Sequence, residues 1–182
     1  GSEVIENETI YGVKRSLESD STKWERIEDS VGLVANATKD GSEVQNDFDN
    51  IYPWSYIITY NYDDITKTET AKYGDDNFKF DGSNGQVLTR IPEFYYKREQ
   101  KDGYEYQYIS KYPQEGFEKS EAFSIGRYTM SGNATKVYSR SGYVPLVNTN
   151  LINFRNYARN LGADFGQLDW RYFILSRIRW LW

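Results

Sequence analysis

The dipeptide Asp102-Gly103, set between "EFYYKREQK" and "YEYQYIS", constrains the fold of this chain more than any other feature of its sequence. Both central residues of a tight hairpin turn need left-handed backbone, which Gly adopts freely and Asp tolerates. The flanking runs are therefore expected to pair as antiparallel strands joined through Lys101-Asp102-Gly103. Side chains alternate faces along a strand, so Tyr104, Tyr106 and Tyr108 should line one face of the second arm. In the first arm, "VLTRIPEFYYKREQ", Pro92 has no N–H to donate, which predicts an edge strand or a bulge at that point.

Another strand is expected from Tyr56 onward. Tyr56, Ile58, Tyr60 and Tyr62 fall on one face and Ile57, Thr59 and Asn61 on the other, the pattern of a half-buried strand, with Pro53 ahead of it. "VGLVANA" (31–37) and "FSIGRYTM" (123–130) read as further strands, and "SGNATKVYSRSGYVPL" (131–146) as a loop or irregular hairpin. Residues 3–30, polar and charged around "SLESDSTKWER", read as an arm or loop, and "PQEGFEKSEA" (113–122) as a loop.

The period changes after Val147. Asn148 to Asn150 offer a cap, Leu151, Phe154, Ala158 and Leu161 share a helical stripe, and Gly162 stands where a helix end takes a left-handed residue. A second helix is expected with Gln167 and Asp169 near its start and Leu168, Tyr172, Leu175, Ile178 and Trp182 on its apolar side. Mixed or antiparallel strands followed by two helices place the chain in the α+β class. Gly1-Ser2 reads as a cloning scar, Met130 is the only methionine, and "DWRYFILSRIRWLW" (169–182) runs out without a stop signal, so the chain is expected to be a piece of something longer. On this reading 1–2 is the scar, 3–30 the arm and 31–182 one domain, incomplete at its C-terminus.

Two zeros narrow the chemistry. Among 182 residues there is no Cys and no His. Thiol nucleophiles, disulfides, thiolate metal sites, Ser-His-Asp triads and His-bound catalytic zinc are thereby excluded. No catalytic residue, bound metal or cofactor is expected. A net charge of −5, with a sequence pI of about 4.9, argues against nucleic acid or an anionic membrane as the main partner, because both need a cationic footprint. No run of about 18 apolar residues predicts a membrane-inserted helix. Aromatic residues make up 17% of the chain, with 17 Tyr, and Tyr combines a broad apolar face with a polar tip, as interaction surfaces require.

Three local patterns carry possible chemistry. "DDNFKFDGSNG" offers Asp75, Asp76, Asp81 and Asn84 to a calcium ion, but counting from Asp76 puts Phe78 and Phe80 at the third and fifth ligand positions and Val87 where a bidentate Glu belongs. A solvated turn is the expectation there. Asp47 and Asp49 have the spacing of neighbours on one strand face. No partner base accompanies them, and Asp47 with Asp49 or Asn50 is expected to hydrogen-bond the loop leading to Pro53-Trp54. Asn7, Asn36 and Asn133 begin Asn-x-Thr glycosylation patterns.

Read in order, "YGVKRSLESDSTKWERIEDSVGLVANA", "NDFDNIYPWSYI", "DGSNGQVLTRIPEFYYK", "YISKYPQEGFEKSEAF" and "NFRNYARNLGADFGQLDW" resemble a family of phage and prophage tail proteins of gut bacteria. Members of that family have a C-type-lectin-like fold related to that of formylglycine-generating enzymes, and several are targets of diversity-generating retroelements. The resemblance runs from about Tyr11 to the end of the chain. It implies a non-enzymatic receptor-binding protein of a virion tail, made in the bacterial cytoplasm. Its implied partners are a bacterial surface glycan or protein and other tail proteins, and the implied assembly is a homo-oligomer, a trimer by preference. Ligand-contacting residues in such proteins lie in the C-terminal half of the lectin fold, which this chain would not reach, so none is assigned here. The enzymatic branch depends on cysteines, which this chain lacks. A structural tail or baseplate component, or a carbohydrate-active enzyme built on two carboxylates, are the alternatives.

Overall fold

The hairpin forms as its turn chemistry requires. In the computed structural model, which describes residues 8–18, 23–35 and 46–169, Lys101 pairs with Tyr104 across a two-residue turn, and Asp102 and Gly103 both take positive φ, 53° and 79°. That is the type I′ geometry that matches the twist of paired strands. Along the chain the strands are β1 (Tyr11–Ser16), β2 (Glu25–Glu28), β3 (Ile58–Asp63), β4 (Thr68–Lys72), β5 (Gln86–Ile91), β6 (Phe94–Lys101), β7 (Tyr104–Ser110), β8 (Glu118–Ser120), β9 (Phe123–Gly126), β10 (Ser131–Gly132) and β11 (Val137–Tyr138). One α-helix, α1 (Leu151–Arg159), follows them. With every strand pairing antiparallel and a single α-helix among the described residues, the architecture is α+β in the broad sense. None of the described helices is long and apolar enough to cross a membrane.

The chain divides into two compact units. The first takes the described residues of Gly1–Tyr56 together with Pro92–Ala122, and the second takes Ile57–Ile91 with the described residues of Phe123–Phe173. In the first unit a five-stranded sheet runs in the order β2-β1-β7-β6-β8. Its inner face buries Val13, Phe94 and Ile109 at 3% exposure or less. Phe48, from a short 3-10 helix at Asp47–Asn50, is buried against the Trp54 ring, whose centroid is 4.9 Å away, and Tyr11 meets the same indole edge-on at 5.5 Å. Each such ring pair adds about 0.5–1.5 kcal/mol to what area burial alone supplies.

In the second unit a four-stranded sheet, β4-β3-β5-β9, lies with the short β10-β11 ribbon and α1. Two buried amides stitch it together. Asn61 donates to the Lys79 carbonyl at 2.7 Å and accepts from the Lys79 N–H at 2.8 Å. Gln86 does the same for another segment, donating to Val137 O at 3.0 Å and accepting from Ser139 N–H at 2.8 Å. Each side chain supplies the donor and acceptor that a neighbouring strand would otherwise provide. Helix α1 begins as its sequence predicts, with Asn150 Oδ1 accepting from Asn153 N–H at 2.8 Å, and Gly162 just beyond its end has positive φ.

Several expectations are corrected. Residues 11–16 and 25–28, read as arm or loop, are strands, and β1 is an interior strand of its sheet. Pro92 lies neither on an edge strand nor in a bulge; it stands between β5 and β6, so the run read as one arm supplies strands to two different sheets. Tyr56 ends a 3-10 helix and is exposed, and β3 starts at Ile58, where it is a central strand buried on both faces through Tyr60 and Asn61. The stretch 31–35 forms a single bridge, Ala35 to Asn46, in place of a strand, while 36–37 lie outside the described residues. β8 forms within 113–122, read as loop. Leu151 is 59% exposed where the helical stripe predicted burial; it shares a helix face with Ala158, seven residues on, and of the two only Ala158 is buried. Most of the expected second helix, from 170 onward, lies outside the described residues, and 167–169 are not helical.

Candidate functional site

The outer face of the first unit's sheet carries a ladder of aromatic side chains. Tyr104, Tyr106 and Tyr108 project from β7 as the alternation requires, with centroids 6.3 Å apart for the first pair and 6.1 Å for the second. The Tyr106 and Tyr108 rings lie within 5° of parallel, and Phe117 continues the row 6.2 Å beyond Tyr108. None of the three tyrosines is buried, whereas Glu105, Gln107 and Ile109, which alternate with them, all are.

Register sets what surrounds the ladder. Tyr108 lies between Gly12 of β1 and Lys97 of β6, Tyr106 between Lys14 and Glu99, and Tyr104 between Ser16 and Lys101. Two ion pairs run across this face, Lys14–Glu25 at 3.5 Å and Lys97–Glu99 at 2.9 Å, and the Lys14 ammonium sits 5.0 Å from the Tyr104 ring centroid. At Gly12 the missing side chain matters, because a Cβ there would come within 3.1 Å of the Tyr108 ring and 2.7 Å of Ile27. Burial, followed by the nearby Glu99 and Glu28 carboxylates, pushes the Tyr108 hydroxyl above the ordinary tyrosine pKa, so it stays a neutral donor at physiological pH.

On the inner face at the hairpin end of the same sheet, Glu105 is saturated with donors. Arg15 Nε reaches its Oε2 at 2.8 Å and Arg15 Nη2 lies 2.7 Å from the same carboxylate oxygen. Arg98 Nη2 donates to Oε1 at 2.7 Å and Gln107 Nε2 to the same oxygen at 3.1 Å. Burial by itself would raise this carboxyl's pKa; the hydrogen bonds from Arg98, Arg15 and Gln107 and the Arg15 charge outweigh it and hold the group below the ordinary glutamate range.

The residues singled out for calcium or catalysis do not converge. Asp75 Oδ2 accepts the Lys72 N–H at 2.8 Å, Asp81 Oδ1 accepts the Ser83 N–H and hydroxyl at 2.9 and 2.6 Å, Asn84 donates to Asn77 O at 2.9 Å, and Asp76 is exposed. These side chains close turns with their own backbone, and among the described residues no three His, Cys, Asp or Glu side chains form a metal-holding group. Asp47 and Asp49 sit on a 3-10 helix, not on a strand face. Asp47 accepts from Val34 N–H at 2.7 Å and Asp49 from the Asn46 amide at 3.0 Å, so neither serves the loop to Pro53-Trp54. Asn133 is exposed and accepts from Thr135 N–H at 2.9 Å; Asn7 and Asn36 lie outside the described residues.

Sequence alternation found the tyrosines of the ladder but not Gly12, Lys14, Lys97 or Glu99. The first two come from a strand that joins β7 only through long-range pairing, which no local pattern announces. Comparison with protein-family models, curated proteins and solved structures returns no match to this chain. What the surface can do follows from its own chemistry. Ring faces are electron-rich, so they attract the weakly positive C–H face of a sugar or the methylenes of a peptide, while paired Lys and Glu at the margins supply donors and acceptors.

Proposed function

We propose that this chain is a non-enzymatic host-recognition domain of a phage or prophage tail, C-type-lectin-like in fold, that presents the Tyr104–Tyr106–Tyr108 face to a bacterial surface glycan. The observation that supports binding is the ladder itself: three tyrosines outside the core in a row on one sheet face, two of them within 5° of parallel. Tyrosines ordered by sheet pairing lose little entropy when a ligand settles on them, which is why such residues make efficient contacts. Resemblance to the tail family supplies the setting, and with it assembly as a homo-oligomer alongside other tail proteins. The reading also moves recognition away from the C-terminal half of the fold, where the family would place it.

Labelled protein applied to a panel of gut bacterial cells tests this. Binding that falls about tenfold or more in Tyr106→Ala/Tyr108→Ala is the expected result, the loss typical of central aromatic contacts. Binding unchanged by that double substitution would remove the ladder from recognition. Oligomerisation without binding to any cell would instead indicate a structural component of the tail or baseplate.

A further inference from the structure

At the hairpin end of the sheet, on the face opposite the tyrosine ladder, two arginines meet a single carboxylate. Arg15 and Arg98 bring two permanent positive charges to one carboxylate, Glu105, in a chain whose net charge is −5. Glu105 is the buried member, its side chain 6% exposed, whereas each arginine side chain is 40% exposed. The counter-ion is therefore inside and already accepts four N–H contacts, while both arginine side chains remain partly exposed.

A guanidinium carries five N–H donors in a rigid fork. Two of those on Arg15 and one on Arg98 are taken by Glu105, and among the described residues neither arginine has a second carboxylate partner. Orientation is fixed from several sides. Arg15 stands opposite Glu105 in the β1–β7 register, and Arg98 opposite Gln107 in the β6–β7 register. The Trp24 ring lies 5.0 Å from the Arg15 guanidinium carbon, a cation–π contact that also leaves an aromatic surface beside the charge. Two forks pinned by one buried anion, with donors left over, make a preorganised receptor for planar or tetrahedral oxygens.

We infer that the Arg15–Glu105–Arg98 cluster is a subsite for an oxyanion, the carboxylate or phosphate of a small acidic ligand such as an acidic sugar. The surplus positive charge attracts the anion, Glu105 holds both forks in place as a positioning residue, and Trp24 offers a stacking surface to the body of the ligand. This subsite does not depend on the tyrosine face, since the two point to opposite sides of the sheet.

The test is an NMR titration of the Arg15 and Arg98 Nε–H resonances with glucuronate, glucose 6-phosphate and neutral glucose, each at constant chloride. Saturable shifts with either acid and none with glucose are expected; whether one acid or both bind identifies the preferred oxyanion. Arg98→Gln should weaken binding about tenfold, the loss expected for a charge-assisted hydrogen bond, and Arg98→Lys, which keeps the charge without the fork, should fall between. Should Arg98→Gln fail to fold, the wild-type titration and Arg98→Lys still decide. No saturable shift with either acid, or the same shift with glucose or added chloride, would overturn the inference and leave the cluster a purely structural network. Oxyanion binding preserved in Tyr106→Ala/Tyr108→Ala would confirm that this subsite stands or falls separately from the tyrosine ladder.

Discussion

Gly12 lies directly across the β1–β7 pairing from Tyr108, in space that a single methyl would contest. With a Cβ only 2.7 Å from Ile27 and 3.1 Å from the Tyr108 ring, Gly12→Ala must push one neighbour aside. Removing a strand glycine gains back some chain entropy, yet overpacking outweighs it, and a net loss of about 1–2 kcal/mol is expected in urea unfolding. An unchanged midpoint would show that Ile27 and Tyr108 have room to yield.

Glu105→Gln should destabilise by about 2 kcal/mol at neutral pH, because two guanidiniums lose their counter-charge; their partial exposure keeps the loss below that of a fully buried pair. The cost should depend on pH. The folded-state pKa of Glu105 lies below its unfolded value, so the carboxylate's contribution is complete above the ordinary glutamate range and fades as pH falls through that range towards the lower folded value. Unfolding free energies of wild type and Glu105→Gln should therefore converge as the solution is acidified. A gap that stays constant from neutral pH to well below the glutamate range would contradict this account.

Asn61→Ala should free the segment around Lys79. Both hydrogen bonds between the Asn61 amide and the Lys79 backbone disappear, at a cost of about 2 kcal/mol, and amide exchange across residues 75–85 should quicken while that of β6 and β7 stays unchanged. Equal acceleration everywhere would mean that Asn61 supports the whole chain and not this segment.

Two glycines with positive φ should respond very differently to alanine. Gly103 has nothing within 4 Å of its would-be Cβ, so Gly103→Ala meets only backbone strain of about 1 kcal/mol. At Gly85 the same methyl would lie 2.4 Å from the Tyr62 carbonyl oxygen, a backbone atom that cannot turn away, and a loss of roughly 3 kcal/mol or more is expected. Thermal unfolding of the two variants side by side reads the difference.

Local chemistry was legible in the sequence, and long-range chemistry was not. The Asp102-Gly103 turn and the Asn150 cap depend on residues a few positions apart, and both stand where they were expected. β1 was hidden because the alternation of its inner face, Tyr11 and Val13, breaks after two residues: Arg15 points inward to meet a carboxylate 90 residues further along, so "YGVKRS" is too short and too polar at its end to read as a half-buried strand. Asn61 misled in the same direction, since an amide that replaces a missing strand looks like a surface residue until its partner is known. Pro92 misled in the other direction, its flanks continuing a β-rich composition across a boundary between two sheets. Of the ladder, the tyrosines were visible and the supporting Gly12 and Lys14 were not, for the reason that hid β1.

The order in which these strands are made has a consequence for the growing chain. β1 and β2 leave the ribosome as a bare two-stranded ribbon, a form with little stability of its own, and the strand that must flank β1 follows only after β3 to β6 have been made. Likewise β5 waits with an open edge for β9 while β6, β7 and β8 are synthesised for the other sheet. Neither sheet can close until the other is nearly complete. A chain so interleaved should fold slowly and late, and its half-made forms expose unpaired edges to their neighbours at the time when chaperone help matters most.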